Sequence, residues 1–210
     1  MMTRTPNIER LLDIGSEAKA AQPRSWPSDL PADLVALLKK RNGFYAFASA
    51  LHVRPVGDTP NRGDGLIVWN DPSRWIDSYT DPALADRTFF AEDVFGDQFS
   101  LRDGRVERMN AETGQFSEMA DSLETWAALM LEEFEAETGY EVARDWQKEH
   151  GPLPEGFRLV PRKPFLIGGE YEVGNLIAKD EVAAMRMRGK FASHIRNLPD
   201  GAKIRVRQAT

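Results

Sequence analysis

The chain has 210 residues, 41% of them hydrophobic, with 11 Phe and 5 Trp and no cysteine. That is enough apolar surface for a core without covalent staples, and it removes disulfides, thiol nucleophiles and cysteine metal sites. The net charge of −6 is unevenly spread: residues 71–150 hold 20 acidic and 7 basic groups, whereas residues 1–70 and 151–210 are mildly basic.

An acidic middle third argues against a nucleic-acid-binding core, because phosphate contact needs clustered Lys and Arg. It suits a basic protein partner instead. The first residues, MMTRTPNIERLLDIG, contain no apolar segment of the kind a signal peptide requires. No stretch approaches the roughly 18 apolar residues of a membrane span. The expectation is a cytoplasmic protein with no membrane partner.

Ile8, Leu11, Leu12 and Ile14 recur near helical spacing and predict an amphipathic helix over 7–21, ended by Pro23 and Pro27. Pro31 opens a second helix over 32–41, with Leu34, Val35, Leu37 and Leu38 on one side. Asn42-Gly43 closes it, since both residues tolerate the left-handed backbone of a helix end. Residues 44–54 are aromatic and β-rich toward their end. A Pro/Gly/Asn/Asp loop follows over 55–65. The apolar run 66–69 predicts a buried strand, and 72–79 a short helix carrying Trp75. Phe89-Phe90 begins another strand. Asp103-Gly104 between 98–102 and 105–109 is a hairpin signal, and Thr113-Gly114 leads into a further strand over 115–119. Asp121 with Glu124 has the spacing of a capping box for a helix over 122–138. Its buried stripe would be Leu123, Trp126, Ala127, Met130, Leu131 and Phe134. Gly139 stops it, and 140–149 forms more helix. The Gly/Pro-rich segment 151–156 marks a boundary. Beyond it, 158–167 and 171–177 predict strands, 180–196 a helix capped by Asp180, and 204–207 a last strand.

The three histidines, His52, His150 and His194, are far apart and have no partner at ligand spacing, so no metal site is expected. The segment Glu92-Asp93-Val94-Phe95-Gly96-Asp97 lacks the register of a calcium loop and predicts a strand end with a tight turn. Gly168-Gly169 and Arg188-Gly189-Lys190 match neither phosphate-binding pattern, which leaves no nucleotide or other cofactor expected. No nucleophile elbow is present. No catalytic residues can be named, and no enzymatic activity is expected.

The order of several motifs is more informative. Leu30-Pro31 begins a helix that ends in Asn42-Gly43. Trp69 and Trp75 follow. Phe90-Ala91-Glu92-Asp93 precedes Gly96-Asp97-Gln98-Phe99, and Ser122-Leu123-Glu124-Thr125-Trp126 opens a long helix. Over residues 25–140 this resembles the SUKH superfamily, of the Smi/Knr type. The resemblance implies an α+β fold, with a mainly antiparallel sheet of about six strands flanked by helices. It implies no catalysis. It makes Leu30, Pro31, Asn42, Gly43, Trp69, Gly96 and Trp126 architectural. Residues 1–150 would form this unit, and 151–210 a small α/β extension packed on it.

Bacterial proteins of this kind look like immunity proteins that neutralise a toxin domain. That is the leading functional expectation. A regulatory scaffold for an endogenous partner is the alternative, and an uncharacterised enzyme a third reading. The expected partner surface lies in the acidic middle, through Asp86, Glu92, Asp93 and Asp97, with Trp75 and Tyr79 as anchors if they are exposed.

Overall fold

The computed structural model describes residues 5–57, 59, 63–196 and 198. Six strands form one antiparallel sheet in chain order: β1 (Phe44–Ala46), β2 (Leu51–Val53), β3 (Thr88–Asp93), β4 (Gln98–Arg102), β5 (Arg105–Met109) and β6 (Phe116–Ala120). A separate hairpin pairs β7 (Phe157–Pro161) with β8 (Leu176–Asp180). Seven α-helices complete the described chain, and the fold is α+β as expected. They are α1 (Asn7–Ile14), α2 (Ala32–Lys40), α3 (Leu66–Trp69), α4 (Leu123–Glu132), α5 (Phe134–Thr138), α6 (Tyr140–His150) and α7 (Glu181–Arg196).

Successive residues of a strand face opposite sides of a sheet, and Phe89 and Phe90 use both. Phe90 joins Leu11, Leu34, Leu37 and Trp126 in a core beneath α1, α2 and α4. Phe89 joins Trp69, Trp75, Tyr79 and Met185 of α7 in a second core. Trp126 is fully buried and meets Phe90 and Phe99 edge-on at ring distances of 5.0 and 5.8 Å. A third cluster joins Val94 and Phe95 to Trp146 of α6 and to Leu159 and Leu176 of the small hairpin.

Several sequence expectations need correction. Residues 66–69 are a helical turn, not a strand. Four apolar residues do not define a period. Leu66 and Trp69, three apart, point inward, while Ile67 and Val68 are about half exposed. Asn70 fixes the turn by bonding Leu66 O at 2.8 Å and the backbone N–H and C=O of Phe89. The helix expected over 122–138 breaks at Glu133, where Phe134 turns to stack on Phe47 at 4.9 Å. Its N-cap is Ser122, not Asp121, and accepts from Thr125 N at 3.2 Å. Glu124 does not close a capping box. Its carboxylate receives the N–H groups of Asn7 and Ile8 at the start of α1. The first helix stops at Ile14 rather than residue 21, and the tail strand begins at Leu176 rather than 171. Around Trp75 only Ile76–Tyr79 is helical, as one 3-10 turn.

Asp103 and Gly104 both take positive φ, +50° and +78°, as a two-residue hairpin turn requires. Asp180 caps α7 through Ala183 N at 2.9 Å. The expected strand over 204–207 lies outside the described residues.

Candidate binding cleft and the buried charge cluster beneath it

The small hairpin and α7 meet the main sheet through buried charge. Arg54, next after β2, extends a guanidinium that bonds both Glu181 carboxylate oxygens, at 3.0 and 3.2 Å. The same group contacts Glu92 of β3 at 2.9 Å and lies over the Trp69 ring at 3.4 Å. Arg158 of β7 reaches Glu92 from the other side, its Nε donating at 2.7 Å. His52 and Gln98 complete the shell around Glu92, at 3.3 and 3.0 Å. All of these side chains are essentially inaccessible to water.

Burial alone would raise the carboxyl of Glu92, but the guanidiniums of Arg158 and Arg54 hold it well below its ordinary value. Burial, helped by the same two guanidiniums, lowers His52 to about 3 despite its bond to Glu92. The imidazole is therefore neutral, with its Nδ1–H donating to the carboxylate. Burial raises the Glu181 carboxyl against the pull of Arg54. Ligand atoms of His52, Glu92 and Glu181 lie within 4.8 Å of one another, a spacing a metal ion could bridge. Arg54 bonds both carboxylates and fills the place of such a cation. Two carboxylates and two guanidiniums already balance, so this cluster is an ion-paired joint.

Near the joint lies an open cleft of about 620 Å³ between the β5–β6 side of the sheet, α5–α6 and the loop after β7. One wall is aromatic. Phe165 and Tyr171 stack at 3.8 Å, and Phe95 meets them edge-on at 5.3 and 5.5 Å. Tyr171 is 60% exposed. Glu112 fixes this wall by accepting the N–H groups of Phe165 and Leu166 at 3.1 and 2.8 Å.

The polar side of the cleft contains two arginines in opposite situations. Arg108 is saturated: it pairs with Asp93 at 2.6 Å, Glu137 at 3.0 Å and Asp97 at 3.2 Å. Burial and the neighbouring Asp97 push Asp93 up to about 7 against the pull of Arg108. Arg188 of α7 is only 4% exposed. It donates to Phe95 O, its Nε has no hydrogen-bond partner, and among the described residues it has no ion pair. Gly96 leaves it room. At φ +83°, a Cβ there would sit 2.8 Å from the Arg188 guanidinium.

The structure redistributes the residues singled out from sequence. Trp75, Tyr79, Glu92 and Asp93 are buried and present no surface to a partner, which corrects their proposed contact role. Their polarity is used internally: Tyr79 donates to Ala111 O at 2.7 Å, and Trp75 to Trp69 O at 2.9 Å. Asp97 lines the cleft, and Asp86 is exposed. Of the motif residues, Asn42 is fully buried and ties Val56 N and O to its side chain at 2.8 Å each. Gly43 follows it in the left-handed region. Trp69, Gly96 and Trp126 pack as described, Leu30 packs against the first core, and Pro31 precedes α2. Sequence reasoning missed Arg54, Arg108, Arg158, Glu181 and Arg188. A signal for the last was present: Arg188 falls on the same helical stripe as Ala184, Met185 and Ala192, where a charge has no ordinary reason to be.

Among solved structures, the protein Atu4351 from Agrobacterium tumefaciens is similar, with a TM-score of 0.56 at 13% identity. The match covers 87% of this chain and 88% of that one. At this identity the likeness speaks for the fold alone. No family model matches the chain, and no curated protein does. Among the described residues, no helix is long and apolar enough to cross a membrane.

Proposed function

We propose that this chain is a non-catalytic protein-binding module of the immunity type, which captures a basic toxin domain. The observation that carries the reading is the uncompensated acidic face of α4–α6. Glu132, Glu133, Glu135, Glu141 and Glu149 are exposed, and none has an ion pair among the described residues. The buried carboxylates around Arg54 and Arg108, by contrast, are matched by guanidiniums. Unpaired surface charge of one sign speeds encounter with the opposite sign, although buried contacts must supply most of the affinity. The sealed state of the His52–Glu92 cluster supports binding over catalysis, since a general base has to reach its substrate. The SUKH resemblance points the same way.

The test begins with the genes that flank this one: a neighbouring toxin domain is expected, and its absence would count against the immunity reading. Co-expression should restore growth of a bacterial host carrying that toxin. In stopped-flow measurements, Glu132→Lys, Glu133→Lys and Glu149→Lys together should slow association and flatten its salt dependence. Failure to restore growth defeats the immunity reading. An unchanged rate and slope in the folded variant removes the acidic helices from the interface.

A further inference from the structure

We infer that the cleft is a binding site for a small zwitterion with a planar side group, of the class of a free aromatic amino acid. The inference does not rest on the protein-binding reading, and it begins from Arg188. A guanidinium 96% withdrawn from water ordinarily has a carboxylate partner, because desolvating an unpaired charge is costly. Arg108, in the same cleft, has three. Arg188 has one carbonyl and no ion pair among the described residues, and it lines an open cavity; its Nε is sealed from that cavity, so the terminal nitrogens are what it can offer an incoming group. Its missing partner is therefore an anionic group supplied from outside, and a carboxylate matches the fork of a guanidinium.

A simple anion does not fit the rest of the cleft. Asp97 and Glu137 already offset Arg108, and Glu135 and Glu141 stand free in the lining. Like charges repel strongly where water is partly excluded, so an incoming anion needs its own positive charge. An ammonium directed at Glu141 supplies it. The two poles are linked by Phe95. Arg188 binds its carbonyl, and Gly139, two residues before Glu141, lies so close that a Cβ would fall 2.4 Å from the Phe95 ring. The same ring is edge-on to the Phe165–Tyr171 stack, which offers a planar group an aromatic wall. The volume suits a molecule of this size.

Three probes on the unmodified full chain separate the contributions: L-phenylalanine, phenylacetate with the anion alone, and phenethylamine with the cation alone. Calorimetry should rank L-phenylalanine at least about tenfold tighter than either, as loss of one charge-assisted hydrogen bond implies. Glu141→Gln lies on an exposed helical turn and should bring L-phenylalanine down to the level of phenylacetate. Arg188→Met should bring it down to phenethylamine. Tyr171→Ala should weaken all three, with perturbations of Phe95 and Phe165 seen by NMR in the wild type. Equal binding of phenethylamine and L-phenylalanine to the wild type would overturn the role of Arg188. No binding of any probe overturns the site. Because the wild-type ranking and Glu141→Gln decide the matter, a poorly folding Arg188 variant does not protect the proposal. Loss of toxin capture in the Glu132/Glu133/Glu149 variant leaves these titrations unchanged, so the two readings fail separately.

Discussion

Glu181, the first residue of α7, grips Arg54, next after β2, with both carboxylate oxygens, at 3.0 and 3.2 Å, and both side chains are buried. Together with Arg158 and Glu92, this pair fixes how residues 157–196 sit on the sheet. Ionic joints of this kind contribute more to orientation than to net stability, because desolvation offsets most of the attraction.

Removing one partner should therefore be far worse than never having had the pair. Glu181→Ala leaves Arg54 half-paired and should cost about 3–5 kcal/mol. Equilibrium denaturation checks the magnitude. Limited proteolysis checks the place: cleavage should rise within Gly151–Gly156, where the two parts connect. A variant that melts like wild type and resists protease would show the joint to be incidental.

The neutral His52 predicts a specific pH response. Its folded value is about 3 against an ordinary 6.5. Between these limits the unfolded chain binds a proton that the folded chain refuses. The stability from neutral His52 is thus complete above about pH 6.5 and lost as pH falls toward 3, by up to about 1.4 kcal/mol per unit. Asp93, raised to about 7 from 3.8, acts in the opposite sense. Its contribution is full below 3.8 and lost as pH rises through 7. The two oppose each other in the wild type, so the variant exposes the effect. The destabilisation caused by His52→Gln should shrink steadily as pH is lowered from 6 to 4. A pH-independent difference between variant and wild type would count against a neutral His52.

Glu124 serves a helix other than its own. Its carboxylate holds the first N–H groups of α1, about 116 positions away in sequence, where an anion also meets the positive end of the helix dipole. Glu124→Ala should cost about 0.5–2 kcal/mol, as loss of a cap does, and should raise amide exchange in α1 more than in α4. Exchange rising only in α4 would restore the capping-box role.

The architecture was legible where local chemistry is strong. The Asp103-Gly104 hairpin, the Trp126 stripe and the Asp180 cap each follow from a few neighbouring residues. Leu66–Trp69 was misread because four apolar residues suit a strand or a helical turn equally, and the deciding contact, Asn70 with Phe89, is non-local. The cleft was hidden for a related reason. Phe95, Phe165, Tyr171 and Arg188 come from segments separated by as many as 93 positions, and no spacing rule links them. The acidic excess of the middle third was visible, but not its division. Glu92 and Asp93 are internal, whereas Glu132, Glu133, Glu135, Glu141 and Glu149 are exposed.

The strictly sequential order of the six strands has a consequence for biosynthesis. Each strand pairs with the next in the chain, across short connections except for β2–β3, which residues 54–87 separate, so most of the sheet can assemble from short-range closures while translation continues. Arg54 and Glu92 are then already in place, yet Arg158 and Glu181 have still to leave the ribosome. The half-made protein holds a polar seam that only its last elements can close. Arrival of Arg158 and Glu181, rather than completion of the sheet, is what closes that seam.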